Sequence, residues 1–440
     1  MNIGLYLFSH DLRLSDQPLL TTLSGKVDKL ICASWQRPVS QWDQGKLPNT
    51  AGGEHQKRFY QQGLCELAQQ LAQKNHLLYP IGDLFSALES LSTAYPNATI
   101  TLAHCAFAGV DERRYFKALA ERFTHIRFCT SHHNHLLTAE QGTFEPGDFP
   151  RAFFPFRKQV MALNPSDPID APSTLAAPLA VDALAGFQQP VSSSPPHAGA
   201  SVIAYGGESH GLAHLAGYFA TRCASEYKQT RNGLTFSTSS TCLSIWLAQG
   251  AISAKQVVKQ LRAYESEHGR NASTEWIYFE LLWREYFYWF ARHHQQRLFW
   301  RQGLRQSAPL TTFYPQRFRA WCEGKTSYPI VNACINQLRA TGWMSNRGRQ
   351  LVASCLVNEL GLDWRFGAAF FQHHLIDYDV ASNWGNWMSI AGVASPGGTA
   401  KHFDLAEQTQ WFDPKGEFIA RWQGQQKPIG EVVDGADWPL

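Results

Sequence analysis

The sequence lacks any C-x-x-C pair, and its nine cysteines (32, 65, 105, 129, 223, 242, 322, 334 and 355) follow no regular spacing. That excludes the ligand spacings of zinc and iron–sulfur sites, and it argues against a disulfide framework. No apolar run approaches the about 18 residues of a membrane span, and nothing before Ile3 could form the basic arm of a signal peptide. A cytoplasmic protein in a reducing compartment, with no membrane partner, is expected. No G-x-G-x-x-G follows the first apolar run, so the dinucleotide fingerprint is missing. Charge of one sign is missing as well: 39 Lys+Arg face 36 Asp+Glu, a net +3 that alone says nothing about nucleic acid. Tryptophan is scarce at the front, with Trp35 and Trp42 the two of 15 that precede Trp246. The later part therefore has either a large aromatic core or a particular use for indole.

What is present divides the 440 residues into more than one core. With 44% hydrophobic and 17% charged residues the chain is a folded protein. Over 1–130, short apolar runs (Asn2–Phe8, Leu30–Trp35, His76–Pro80, Thr99–Ala103, Ile126–Cys129) alternate with Pro-free helical stretches such as Gly53–Lys74, Leu84–Thr93 and Glu112–Phe123. This alternation predicts a doubly wound parallel five-stranded sheet, an α/β domain. Residues 164–200 hold seven of the 22 prolines and lie in a stretch, 131–205, read as an interdomain linker. From Gly206 to Leu440 the pattern is helical and aromatic-rich, which predicts a second, all-α domain.

Four clusters point to chemistry. On a helix over Glu275–His294, Glu280, Trp283, Arg284 and Phe287 share one face. Charges beside large aromatics suggest a ligand or an internal ion pair; Asn346, Arg349 and Gln350 repeat the arrangement on another helix. Asp377-Tyr-Asp379 followed by Asn383-Trp384-Gly385-Asn386-Trp387 fits either turn chemistry or a polar ligand. Ser237–Ser244, ahead of an apolar helix, fits either an N-cap or a phosphate site. Finally, residues 277–350 carry eleven Lys/Arg, ten of them Arg, against three acids (Glu280, Glu285 and Glu323). Interleaved with Trp283, Phe287, Trp289, Phe299, Trp300, Phe313 and Tyr314, they suit unstacked nucleic acid or a solvated helical surface.

These residues resemble the photolyase/cryptochrome family, and within it the DASH cryptochromes. The resemblance covers nearly the whole chain. It runs through Phe8-Ser-His-Asp-Leu-Arg13, Tyr205-Gly-Gly-Glu-Ser209, Tyr227-Lys-Gln-Thr-Arg-Asn232 and Ser240–Gly250. It is strongest in Trp283-Arg-Glu, Glu323–Pro329, Thr341-Gly-Trp-Met-Ser-Asn-Arg-Gly-Arg-Gln350 and Asp377–Trp387, and it closes with Asp363-Trp-Arg365 and Gly416-Glu-Phe418. It implies an N-terminal photolyase α/β domain and a C-terminal helical FAD-binding domain. Tyr227, Ser240, Thr241 and Ser244 match positions at the FAD phosphates, and Arg284 and Asn346 match positions around the cofactor. Arg349 matches an arginine paired with Asp377 beside the flavin ring; Asp379 matches an acid near the ring, and Asn383 a residue facing flavin N5.

The chemistry implied is blue-light-driven electron transfer that splits cyclobutane pyrimidine dimers in single-stranded DNA, where extruding a base is cheapest. RNA, or bases looped out of duplex DNA, are alternative strands. Glu280 matches the acid that binds the dimer, Trp283 its aromatic wall and Gln350 a neighbouring contact. Glu112, in Asp111-Glu112-Arg113, resembles the glutamate that binds a 5,10-methenyltetrahydrofolate antenna, although acids at a helix start also compensate the helix dipole. Trp387 and Trp364 match the first two members of an electron relay, and a monomer is expected.

Three departures stand out. Thr311 occupies the place of a third relay tryptophan, which predicts slower photoreduction or an exit through Phe313, Tyr314, Trp300 or Trp321. Ser389 replaces the second aromatic wall of the dimer pocket. Cys242 and Ile245 replace a basic residue and a proline in the phosphate segment. They keep a second reading open: a blue-light photoreceptor or nucleic-acid binder with little repair. The lack of a long C-terminal tail weighs against a plant-like signalling form.

Overall fold

The structure is a computed structural model that describes residues 1–35, 52–142, 144, 148–181, 183–192, 203–236 and 240–426. By contact the chain forms two compact units. One holds the described residues up to Glu226, apart from 52–56, together with Cys242–Gln295. The other holds 52–56, the described part of Tyr227–Thr241, and Gln296 onward.

The first unit is built on a parallel sheet. Its strands β1 (Asn2–Phe8), β2 (Lys29–Trp35), β3 (Leu78–Ile81), β4 (Thr99–Cys105) and β5 (Arg127–Ser131) lie in the order β3-β2-β1-β4-β5. The crossovers are α1 (Pro18–Ser24), α2 (Glu54–Ala72), α3 (Leu84–Ala94) and α4 (Val110–Arg122). This is the expected doubly wound sheet, and the strand runs match within a few residues. Alternation along β1 feeds two cores: Ile3, Leu5 and Leu7 pack into one face, Tyr6 and Phe8 into the other. Open sheets of this kind commonly take ligands where the strand order reverses, here between β1 and β4. At that point the fully buried Asp11 accepts hydrogen bonds from Tyr6 Oη (2.7 Å), Ser9 N (2.9 Å) and His133 (3.2 Å). A polar network of the chain's own residues stands where a dinucleotide fingerprint would otherwise be needed.

The proline-rich stretch takes part in this unit. After α5 (Ala139–Gly142) and α6 (Phe153–Val160), the two-residue strand β6 (Ala177–Pro178) pairs parallel to β2. Gln188 and Val191 donate to the carbonyls of Pro80 and Leu78, and Val181 is buried in the sheet core. The segment's described residues are almost all exposed or half-buried, and from there it also satisfies open backbone groups of a short edge strand. Residues 193–202 lie outside the described residues. The unit also holds α7 (Glu208–Phe219), the start of α8 (Cys223–Thr230), α9 (Ser244–Gln249), α10 (Ala254–His268) and α11 (Ala272–His294). Capping boxes start α10 (Ser253 with Gln256) and α11 (Asn271 with Thr274). Contact therefore divides the chain after Gln295, while the change in composition falls near Gly206.

The second unit is helical: α12 (Pro315–Cys322), α13 (Pro329–Thr341), α14 (Asn346–Ser354), α15 (Trp364–His374), α16 (Val380–Ile390), α17 (Leu405–Phe412) and α18 (Glu417–Arg421). Proline opens α12 and α13, and Gly342 at φ 75° ends α13. Ser345, Asp363 and Asp379 cap α14, α15 and α16. Among the described residues no helix is long and apolar enough to cross a membrane, and no group of His, Cys, Asp and Glu could hold a metal ion.

Candidate functional site

In the helical unit, the Ser345 cap sets α14 so that Arg349 reaches both a carbonyl and a carboxylate. Its Nε donates to Met344 O at 2.9 Å, and its Nη2 donates to both Asp377 oxygens at 2.9 and 2.8 Å. Asp377 is buried and Arg349 half-buried, and the two-oxygen contact is a charge-assisted pair that fixes the carboxylate's position. Two residues on, Asp379 spends one oxygen on Ser382 N (2.7 Å) as the cap of α16. The cap orients the first turn of α16, where the buried Asn383 donates from Nδ2 to Ala368 O on α15 at 3.0 Å. The structure thus brings Arg349, Asp377, Asp379 and Asn383 onto α14, the α15–α16 turn and the start of α16. Turn chemistry accounts for Asp379 but not for the pairing of Arg349 with the buried Asp377.

On α14 itself, Asn346 is exposed, and Gln350 has a buried Oε1 with no hydrogen-bond partner among the described residues. A buried orphan acceptor on the helix that carries Arg349 suits a bound group that offers a donor. Tyr227 is buried in α8, while Ser240 and Thr241 are half-buried. Ser237, Thr238 and Ser239 lie outside the described residues. These polar groups fit a large cofactor that carries phosphate, hydroxyl and amide functions, as FAD does.

The indoles of this unit form connected sets. Trp387 lies so close to α15 that a Cβ on Gly367 would meet its Cη2 at 2.2 Å. The ring centroid of Trp321 is 6.3 Å from that of Trp387, and Trp321 is fully buried. Trp364 donates to Arg301 O at 3.0 Å and meets Trp384 edge to face at 5.8 Å. Trp384 in turn hydrogen-bonds Gln372 and Tyr378 Oη, each at 3.3 Å, and Tyr378 Oη donates to Gln372 Oε1 at 2.9 Å. Thr311 O accepts from Arg301, so the position of the missing tryptophan is tied to the residue that holds Trp364. Of the expected exits, Trp321 touches Trp387 and Phe318, Phe313 stacks on Phe366 at 4.2 Å, and Tyr314 lies under the Arg317 guanidinium at 4.4 Å. Sequence reasoning missed Trp384 and Tyr378 as relay candidates. The signal was available, because Trp384 and Trp387 stand three apart on α16.

In the first unit, α11 carries the other candidates. Trp276 Nε1 donates to Glu280 Oε1 at 2.8 Å, which orients that carboxylate along the helix. Trp283 stacks on Phe153 at 3.8 Å with the rings 7° apart, and on Phe287 at 5.5 Å. Arg284 donates to two backbone carbonyls, Asn134 O (2.9 Å) and Leu247 O (3.3 Å). Glu285, counted in the sequence only as an acid, is fully buried and structural. It accepts from Leu136 N, Leu137 N and Trp289 Nε1. Burial pushes its carboxyl up, but hydrogen bonds led by His135 outweigh that and hold it below the usual range.

Ser244 is exposed at the start of α9, whose N-cap is Leu243, with no side-chain cap. Glu112 lies in the first turn of α4 and is buried, with its carboxylate over Gly109. Ser389 accepts from Lys401 Nζ at 2.8 Å.

Comparison with known proteins agrees with this architecture. The family pattern for the FAD binding domain of DNA photolyase matches 276–431, and that for DNA photolyase matches 4–173. A cryptochrome DASH of Vibrio parahaemolyticus is 45% identical over 100% of this chain and 97% of its own. One from Idiomarina loihiensis is 43% identical over 100% of this chain and 96% of its own. The crystal structure of a Synechocystis cryptochrome superposes with a TM-score of 0.85 at 32% identity, over 96% of this chain and 88% of that one. A class III photolyase of Agrobacterium tumefaciens superposes with a TM-score of 0.79 at 25% identity, over 96% of this chain and 86% of that one. This chain belongs to the photolyase/cryptochrome family and, within it, to the cryptochrome DASH group.

Proposed function

We propose that the protein uses FAD for blue-light-driven electron transfer that repairs cyclobutane pyrimidine dimers in single-stranded DNA. The observation that carries the reading is Glu280, a carboxylate oriented on the aromatic face of α11 by the Trp276 indole. Held so, it can accept from a base N–H while Trp283 offers ring surface; Gln350 keeps the substrate role that the resemblance implies. FAD, when bound, supplies light absorption and one-electron exchange.

The chain's residues hold and tune that group. Arg349 holds the buried Asp377 carboxylate in place, and Asn383 is presented with its amide anchored to Ala368. Tyr227, Ser240, Thr241, Asn346 and Asp379 complete the cofactor contacts, and Ser244 and Arg284 keep the cofactor role that the resemblance implies. Trp387 and Trp364 carry electrons to the cofactor. A methenyltetrahydrofolate antenna at Glu112, a monomeric state and a cytoplasmic location belong to the same proposal. Extracting the purified protein and looking for folate absorbance beside flavin tests the antenna.

The deciding experiment illuminates reduced protein with dimer-containing oligothymidine, single- and double-stranded, and follows the return of thymine absorbance. Recovery with single strands is expected, and none at all would reject repair. Glu280→Ala should slow recovery about tenfold with flavin content unchanged. The second reading, a photoreceptor or nucleic-acid binder with little repair, is favoured by Ser389, whose hydroxyl is engaged by Lys401 where an aromatic wall would stand.

A further inference from the structure

Helix α6 carries a feature that neither the sheet nor the cofactor residues require. Its two leading phenylalanines point apart. Phe153 is buried, stacked on Trp283, whereas Phe154 is 66% exposed. Phe154 does not stand alone. It lies 5.7 Å from Phe153 and 6.4 Å from Phe279 of α11, and Phe279 lies 4.8 Å from Trp276. Phe154, Phe279 and Trp276 thus form a continuous row of rings along the outer side of α6 and α11. Phe154 is the exposed member of the row, with Phe279 and Trp276 half-buried beside it, and contiguous aromatic surface that reaches solvent suits an interaction site.

The charge that the α6 segment brings to the row is positive. Between Asp148 and Asp167 the sequence has no acid and three bases, Arg151, Arg157 and Lys158. The Arg157 guanidinium sits 5.1 Å from the Phe279 ring centroid, while Arg151 and Lys158 are exposed. No carboxylate among the described residues is seen paired with any of the three. The acids nearest on α11 are otherwise engaged: Glu275 pairs with Arg270 at 3.0 Å, and Glu280 accepts from Trp276. Rings that offer faces, flanked by unpaired cations, match a strand with unstacked bases and a phosphate backbone.

We propose that Phe154, Phe279 and Trp276, with Arg151, Arg157 and Lys158, form a base-stacking ledge for single-stranded nucleic acid. The ledge lies beside Trp283 and extends the strand-binding surface onto α6, outside the basic 277–350 region. It rests on the reading that the protein binds nucleic acid. One face of Trp283 is taken by Phe153, so the ledge supplies the ring surface next along α11. Stacking is indifferent to sequence, so the ledge adds affinity for any unpaired strand, damaged or not.

The test is fluorescence anisotropy of a labelled, undamaged oligothymidylate against the full-length holoprotein. Phe154→Ala should weaken binding about tenfold, Phe154→Trp should restore it, and the circular dichroism of all three proteins should coincide. Replacing Arg151 and Lys158 by Ala should flatten the dependence of affinity on salt. If the wild type binds single strands and Phe154→Ala binds equally well, the ledge is overturned while nucleic-acid binding stands. If the wild type binds no single strand, both fall. Equal loss of duplex binding, or a dimer that Phe154→Ala dissociates, would also overturn it, by giving the ledge a different occupant.

Discussion

Trp364 and Trp384, from α15 and α16, meet edge to face with centroids 5.8 Å apart, and Trp384 is hydrogen-bonded in turn to the half-buried Tyr378. The branch through Trp321 leads to Phe318, Phe313 and Phe366, none of which oxidises readily. The branch through Trp384 ends on a phenol that can lose a proton.

If electrons leave by Trp384 and Tyr378, flash photolysis should show a tyrosyl signal following the tryptophan signal. Tyr378→Phe should remove the tyrosyl signal and lengthen the life of the tryptophan one. Trp384→Phe should slow photoreduction, and Trp387→Phe should abolish it. Photoreduction unchanged in Trp387→Phe would sink the relay assignment.

The pairing of Arg349 with the buried Asp377 makes a prediction about flavin content. Asp377→Asn leaves the half-buried Arg349 guanidinium without its counter-charge, at a cost of about 1–3 kcal/mol. The variant should purify with little flavin and melt earlier than the wild type. Full flavin occupancy, read from the absorbance ratio, would contradict the assignment.

Gly367 tests the packing of Trp387, the first indole of the proposed relay. An alanine methyl there would sit 2.2 Å from the Trp387 ring, on a helix that leaves little room to shift. Gly367→Ala should lower the stability read from denaturant unfolding by about 1–3 kcal/mol and slow photoreduction, because Trp387 must move. An unchanged midpoint would show that the ring has space the structure does not give it.

His104 gives the pH dependence a sign. Burial lowers its pKa from 6.5 to about 4, against the hydrogen bond to Cys105 O, and the ring packs on Phe116 at 4.0 Å. Between pH 6.5 and about 4 the unfolded chain binds the extra proton and the folded chain does not. Stability is therefore lost as pH falls through that window, by at most about 3 kcal/mol from this group. His104→Phe keeps an aromatic ring there and should melt with a shallower pH dependence across that window. An identical pH profile would refute the effect.

The sheet was legible because strands buried on both faces leave short apolar runs, and alternation with helices allows few topologies. Arg349, Asp377 and Asn383 were legible as motifs, but their geometry was not. Asp379 was open between cap and ligand, and its bond to Ser382 N shows that capping uses one oxygen and leaves the other. Glu285 looked like one more acid beside Arg284. Only the fold shows it buried against the backbone of Leu136 and Leu137, nearly 150 positions away in sequence. The pairing of the proline-rich segment with the sheet was not legible, because composition reports poor helix and sheet propensity, not whether a neighbouring edge needs partners.

The sequence by itself determined which side chains are available: the motifs of a flavin domain, the arginine-rich strip, and a threonine at position 311. It determined these because they are matters of residue type and local spacing. The tertiary structure decided which of them touch. Trp364 reaches Trp384, and Phe153 covers Trp283 while Phe154 stays exposed, because contacts between distant segments depend on helix rotation and packing. No local pattern encodes them.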